Sequence, residues 1–146
     1  MKNILFICKS NVFRSKVSEA YLKKINKNVN VSSAGIVLRG KLQGKQAKAV
    51  RDKGLILNKK QQCLTSPLLR KQDIIIITAR DVPKSIFNKS FLKNIGVKAK
   101  VIKWGISDIY DIKGKDKTDR TEKTINKLIK KIDKLNKTLE KEKWKQ

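Results

Sequence analysis

The side chains best placed to do chemistry lie near the start of the chain, where Cys8 ends an apolar run and Arg14 follows a short polar stretch. The apolar residues 4–7 predict a buried parallel strand, and Ser15 opens a segment with helical spacing. A loop between a strand and a helix presents backbone N–H groups to an anion, and its positive field favours a cysteine thiolate. The pattern therefore predicts a nucleophile, Cys8, and a guanidinium clamp, Arg14, around one tetrahedral oxyanion.

The alternative is a purely structural role, in which Cys8 is a small hydrophobic residue at the end of a strand. This is the commoner role of a lone cysteine. Arg14 would then be an ordinary surface charge. If the chemical interpretation holds, the phosphate-binding groups come from the loop and the first helical residues. These candidates are Lys9, Ser10, Asn11, Val12, Phe13, Arg14 and Ser15.

Three motifs carry a resemblance to a known family: residues 4–15 (ILFICKSNVFRS), the Ser-Glu-Ala at residues 18–20 and the Ser-Ala-Gly at residues 33–35. They resemble the low-molecular-weight protein tyrosine phosphatases and the related thioredoxin-coupled arsenate reductases. The resemblance implies an N-terminal strand, a phosphate-binding loop, a following helix and a second strand that ends at Ser-Ala-Gly. It extends over most of the chain, and the first part is the most specific.

The loop also departs from the family pattern. Lys16 stands where the family usually has Pro, Ser10 where it usually has Gly, and Phe13 replaces a second loop cysteine found in many members. The resemblance implies that Asn11 and Ser15 hold the shape of the loop and hydrogen-bond the thiolate. On sequence alone, these two residues are about as well explained as ordinary turn and cap residues.

The resemblance implies that Cys8 attacks phosphorus, that a carboxylic acid protonates the leaving group, and that water then hydrolyses a cysteinyl-phosphate. The family takes this acid from an Asp-Pro after the fourth strand, but this chain has no such Pro. Residues 104–108 resemble the approach to the catalytic Asp in the reductase branch, which favours Asp108. Asp111 is the rival, and Tyr110 could line the substrate cleft.

Periodicity along the chain predicts an α/β fold in a single domain, residues 1–146, with a four-stranded parallel sheet flanked by helices in flavodoxin-like order. Ser15 is the expected N-cap of the first helix, and Thr65 is expected to cap a short one. The expected strands are residues 3–8, 28–33, 73–78 and 97–104. The expected helices are residues 15–27, 44–53, short ones opening near Thr65 and at Pro83, and a long C-terminal helix over residues 119–143. The loops after strands one to four should meet at one edge of the sheet.

The 146 residues suffice for one domain, and no run is long enough to span a membrane or to act as a signal peptide. Two cysteines imply no disulfide framework and fit a reducing cytoplasm. The net charge of +25 attracts anions, but the lysines are spread along the chain and aromatic residues are few. Nucleic acid is therefore a less favoured partner. The absence of His excludes Ser-His, Cys-His and His-metal chemistry, and no metal or cofactor is expected.

Three functions follow, in decreasing order of preference. The first is a phosphatase acting on a phosphorylated protein, at phosphotyrosine, or on small aryl phosphates. The second is arsenate reduction, which needs further cysteines for disulfide exchange; none follows the third strand, and Cys63 is expected to be buried. The third is a non-catalytic module that binds an anion or nucleic acid. Membrane association is not expected, and the oligomeric state is left open.

Overall fold

The computed structural model of the protein describes residues 1–107 and 116–144. Strands and helices alternate along most of the chain, as the periodicity predicts. The strands are β1 (Lys2–Cys8), β2 (Val29–Gly35), β3 (Ile74–Ala79) and β4 (Lys100–Ile106). The α-helices are α1 (Arg14–Ile25), α2 (Gly44–Asp52), α3 (Ser66–Arg70), α4 (Lys89–Asn94) and α5 (Lys117–Trp144), and a 3₁₀ helix covers Lys84–Phe87.

The four strands form one parallel sheet in the order β2-β1-β3-β4. This order confirms the predicted α/β fold with its flavodoxin-like sheet. The central pair, β1 and β3, is in register from Ile4 opposite Ile74 to Ile7 opposite Ile77, and all of these side chains are buried. A strand covered by helices on both faces needs such continuous apolar character.

Both faces of the sheet carry a core. Leu5 and Ile7 of β1 pack with Leu69 and Leu92 from α3 and α4 on one face. Ile4 and Phe6 point to the opposite face and pack beneath α1 and α5. The apolar stripe of α5 is buried there at Ile125, Leu128, Ile132 and Leu139. As predicted, this helix therefore lies on the sheet. None of the helices in the described ranges is long and apolar enough to cross a bilayer.

Three predicted boundaries are wrong for identifiable reasons. Ser15 is not the N-cap of α1, because the helix starts at Arg14 and the Ser15 hydroxyl has another partner, described below. The helix expected from Pro83 is divided, because the Asn88 side chain accepts the backbone N–H of Ser90 and starts α4 anew. Helix α5 begins at Lys117 rather than at residue 119, and the Asp116 side chain before it accepts the backbone N–H of Asp119. The helix continues to Trp144, with an ion pair between Glu142 and Lys2 near its end.

Helix α1 is attached to α5 by a hydrogen bond from the Tyr21 hydroxyl to the Asp133 carboxylate, at 2.5 Å. Burial, and then the hydrogen bond and charge of Asp133, raise the pKa of Tyr21 to about 12. An unfolded tyrosine titrates near about 10. The protonated phenol therefore contributes stability that is complete below about pH 10 and is lost as the pH rises towards 12.

We predict that wild type has a higher free energy of unfolding than Tyr21→Phe. The difference should be largest below about pH 10 and should shrink as the pH approaches 12. Urea denaturation at a series of alkaline pH values measures the difference. Asp133→Asn retains a hydrogen-bond acceptor without the charge, so in this variant the alkaline loss of stability should be smaller and should end at a lower pH. Parallel stability curves for wild type and Tyr21→Phe would show that this hydrogen bond does not stabilise the folded state.

Candidate active site

A tight loop, residues 9–13, connects β1 to α1 and lies against the end of β2. Asn11 takes a left-handed backbone conformation with φ of 54°. A Cβ atom on Gly35 would come within 2.8 Å of both the backbone N of Asn11 and the backbone C of Ser10. The Lys9 carbonyl also accepts the N–H of Ile36 at 2.9 Å. The end of β2 therefore fixes the loop, and only glycine at position 35 permits this approach.

Cys8 lies at the end of β1 with a buried side chain, 3 % exposed. The backbone N–H of Asn11 donates to its Sγ at 3.2 Å, and the Ser15 hydroxyl lies 2.9 Å from the same sulfur. The start of α1 adds the positive end of a helix dipole. The N–H, the hydroxyl and the helix dipole each favour a negatively charged sulfur and oppose the effect of burial.

The direction of these hydrogen bonds follows from Asn11. Its side-chain amide donates to the hydroxyls of Ser15 and Ser33, both at 2.9 Å. Each hydroxyl thus accepts a hydrogen from Asn11 and keeps its own to donate. Ser33 donates to Glu19 Oε1 at 2.5 Å, which leaves the Ser15 hydrogen available to Cys8 Sγ. The buried network is therefore polarised towards a thiolate.

Asn11 is itself fully satisfied. Its side-chain oxygen accepts the backbone N–H of Gln62 at 2.9 Å, and the Gln62 side chain donates to the Ser33 carbonyl at 2.8 Å. Segment 61–62 also reaches the loop through Gln61, whose side chain donates to the Ser10 carbonyl at 3.0 Å. The loop is consequently fixed from β2 on one side and from this segment on another.

Arg14 is 7 % exposed and connects three parts of the site. Its Nη1 donates to the carbonyl of Ile106, the last residue of β4, at 3.0 Å. Its Nη2 lies 3.1 Å from a carboxylate oxygen of Asp81, just after β3. Arg14 and Cys8 line the same cavity of about 340 Å³. The guanidinium is thus oriented by the end of β4 and by the segment that follows β3.

Lys16, the residue that replaces the family's usual Pro, is buried beside this network. Its ammonium group donates to the Lys60 carbonyl. Burial lowers the pKa of Lys16, whereas the charges of Glu19 and Cys8 raise it. Lys16 therefore adds positive charge close to the sulfur and connects α1 to the segment that supports Asn11.

The structure brings together the predicted residues from Cys8 to Ser15 at the carboxyl edge of the sheet. The candidate acids Asp108 and Asp111, and Tyr110 with them, lie outside the described residues. Sequence reasoning assigned no role to Asp81, Ser33 or Gln62. Asp81 and Ser33 could have been found, because each lies at or just past a strand's carboxyl end, where ligands bind in such folds. Gln62 gave no comparable signal.

The prediction that Cys63 is buried is wrong, because this residue is exposed. It lies at the outer edge of the sheet, where its backbone forms an isolated bridge with Gly35. Gly35 pairs on its other side with Cys8. The two cysteines are therefore two strand spacings apart, roughly 10 Å between Cα atoms. A disulfide requires less than about 7 Å.

Comparisons with known proteins agree with this geometry. The family model described as low molecular weight phosphotyrosine protein phosphatase matches residues 3–145. A protein-arginine-phosphatase from Bacillus subtilis (strain 168) is 34 % identical over 80 residues, which cover 51 % of this chain and 53 % of that protein. The match thus spans about half of the length of that relative.

Two solved structures illustrate the similarity over the whole chain. One is a YwlE arginine phosphatase with a cysteine-to-serine mutation and a phosphorylated active-site serine, at 27 % identity and a TM-score of 0.75, covering 95 % of this chain and 96 % of that one. The other is a low molecular weight protein tyrosine phosphatase from Bacillus subtilis, at 25 % identity and a TM-score of 0.75, covering 97 % and 99 %.

We predict that Gly35→Ala destabilises the protein by about 1–3 kcal/mol, because the added methyl group meets loop backbone that has little room to move. Urea denaturation measures this cost. Gly44→Ala is the matched control, since a Cβ there has no atom within 4 Å, and it should change stability by no more than about 0.5 kcal/mol. Equal effects of the two substitutions would contradict the close contact between β2 and the loop.

Proposed function

The chain belongs to the low molecular weight phosphotyrosine protein phosphatase family, and we propose that it hydrolyses phosphotyrosine or small aryl phosphates through a cysteinyl-phosphate on Cys8. One observation carries the proposal: the Cys8 sulfur receives the Asn11 N–H and faces the Ser15 hydroxyl, inside a loop bordered by Arg14. A buried sulfur with these donors is prepared for negative charge rather than for apolar packing.

In the first step the Cys8 thiolate attacks phosphorus as the S–P bond forms and the P–O bond to the leaving group breaks. Backbone N–H groups of residues 9–14 and the Arg14 guanidinium bind the equatorial oxygens, where the transition-state charge lies. A carboxylic acid gives its proton to the departing oxygen. The phosphorylated serine in the YwlE mutant supports a covalent intermediate at the nucleophile position.

In the second step water attacks the cysteinyl-phosphate, the same carboxylate accepts the water's proton, and inorganic phosphate leaves. The Ser15 hydroxyl stabilises the thiolate as the S–P bond breaks. Asp108 is the favoured acid and base, and Asp111 is the rival. Support for Asp108 comes from Ile106, since its carbonyl accepts from Arg14 and the chain therefore leaves β4 beside the site.

The walls of the cavity favour an aryl substrate. The half-buried Val12 supplies apolar surface, while Arg39 and Lys41 supply positive charge. Among the described residues that line the cavity, none is acidic. The positively charged guanidinium of phosphoarginine would lack a partner on these walls, whereas a phenyl ring needs none. Phosphoarginine is nevertheless the second candidate, because the 34 % identical relative is a protein-arginine-phosphatase.

The other two functions have less support. Arsenate reduction needs a cysteine that can reach the Cys8 adduct, and Cys63 lies too far away without backbone movement. A purely binding role would leave the polarised Cys8 environment without a purpose. A thiolate nucleophile works only in a reducing compartment, so we place the protein in the cytoplasm.

We predict that Cys8→Ser lowers hydrolysis of a nitrophenyl phosphate by at least about 10³-fold, because a serine hydroxyl is far less nucleophilic than a thiolate. Cys63→Ser, which changes the other cysteine, should keep the wild-type rate. Matched phosphotyrosine and phosphoarginine peptides in the same assay decide between the two substrates. Activity that survives in Cys8→Ser would exclude the covalent mechanism.

A further prediction identifies the acid. Protonation matters most for a poor leaving group. Removing the true acid should therefore slow the hydrolysis of phosphotyrosine much more than the hydrolysis of a nitrophenyl ester. We expect this selective loss, about tenfold or more between the two substrates, in Asp108→Asn and not in Asp111→Asn. The reverse result would assign the role to Asp111. If neither variant shows a selective loss, no acid in this loop assists the reaction.

A further inference from the structure

One part of the cavity lining carries two positive charges that no carboxylate in the described part of the chain neutralises. Arg39 and Lys41, which shortly precede α2 in the chain, line the same cavity as Cys8 and Arg14. Both side chains are exposed, and within residues 1–107 and 116–144 no carboxylate forms an ion pair with either. Gly40 between them has φ of 81°, a left-handed backbone conformation that favours glycine. We call Arg39 and Lys41 the basic rim.

The two arginines of the cavity differ in their carboxylate partners. Arg14 already has the Asp81 carboxylate as a counter-charge. Arg39 has no such partner in the described part of the chain, and Lys41 beside it adds repulsion. The first turn of α2, which also borders the cavity through Gln43 and Gln46, contains no acidic residue. An anionic group bound at the rim would relieve this repulsion.

The phosphate group of a substrate does not fill this role, because the loop after β1 and Arg14 are its proposed binding site. We propose that the basic rim binds a carboxylate next to the phosphorylated residue, so that the substrates are phosphorylated protein segments flanked by Asp or Glu. A guanidinium pairs with a carboxylate through two parallel hydrogen bonds, and an ammonium adds a point charge. This inference rests on the proposed phosphatase function.

Single-stranded nucleic acid is the competing anion, and the structure favours it less. Such binding combines positive charge with exposed aromatic rings on which bases stack. The aromatic residue among the described lining residues is Phe13, which is 7 % exposed and therefore offers little surface. A carboxylate needs only the two cations.

The test uses phosphotyrosine peptides that differ only at the neighbouring position, with Asp, Asn or Lys. For wild type we expect kcat/KM for the Asp peptide to exceed that for the Asn peptide about fivefold at low ionic strength, with Lys lowest. Because exposed charges are screened by salt, this ratio should fall towards one in about 0.5 M salt. In Arg39→Gln/Lys41→Gln the ratio should be about two or less even at low salt.

Lys27→Gln/Lys98→Gln is the matched control, since it removes the same charge from two exposed lysines. These residues precede β2 and β4 and so lie at the edge of the sheet opposite the cavity. The control should keep the wild-type ratio. A wild-type ratio near one, or a ratio that survives in the rim variant, would overturn the proposal. A ratio lost equally in the control would reduce it to a general effect of net charge.

Binding to the Cys8→Ser protein separates this inference from the proposed function. Fluorescence anisotropy of the same peptides should show the same order of affinity, again dependent on the rim. If wild type hydrolyses none of the peptides, the proposed function fails, while the affinity ratio still decides the carboxylate site. A single-stranded oligonucleotide serves as a competitor. If it displaces the Asp peptide at low concentration and only when the rim is intact, the rim is a nucleic-acid site and the proposal is wrong.

Discussion

The contact between Asn11 and Gly35 is the constraint on which the rest of the site depends. Asn11 adopts a left-handed conformation that costs an ordinary residue about 1 kcal/mol or more. It does so next to Gly35 of β2, where there is no room for a Cβ atom on residue 35. The cost is offset because its backbone N–H and both polar atoms of its side chain find partners. One residue thereby fixes the loop backbone, orients the Ser15 hydroxyl and directs an N–H group at Cys8.

The charges around this loop are arranged in two different ways. On the inner side, Glu19 is buried and balanced by Lys23 at 2.6 Å, and Arg14 is balanced by Asp81. Paired charges of this kind orient their neighbours without adding net charge. On the outer side, Arg39 and Lys41 have no such pairing within the described part of the chain. The paired groups thus prepare the reacting atoms, and the unpaired ones are available to a ligand.

The sequence was informative where a single physical signal decides the outcome. The isoleucine run of β3 specifies a buried strand in any α/β arrangement, and the loop from Cys8 to Arg14 was predicted from its place between a strand and a helix. It was uninformative where distant contacts decide. The Ser15 hydroxyl serves Cys8 rather than the helix end, and Asp81 becomes important only because Arg14 reaches it. Cys63 is exposed because its segment lies at the sheet edge, which local apolar content does not reveal.

The absence of histidine gives the site its distinctive electrostatics. The sulfur is in direct contact with the N–H of Asn11 and the hydroxyl of Ser15, and Asn11 in turn contacts the hydroxyl of Ser33. None of these groups changes charge near neutral pH. The sulfur is therefore contacted by fixed dipoles, and the buried Lys16 adds positive charge beside them. It follows that no histidine supports the nucleophile, and that the loop geometry set by Asn11 must supply the hydrogen bonds instead.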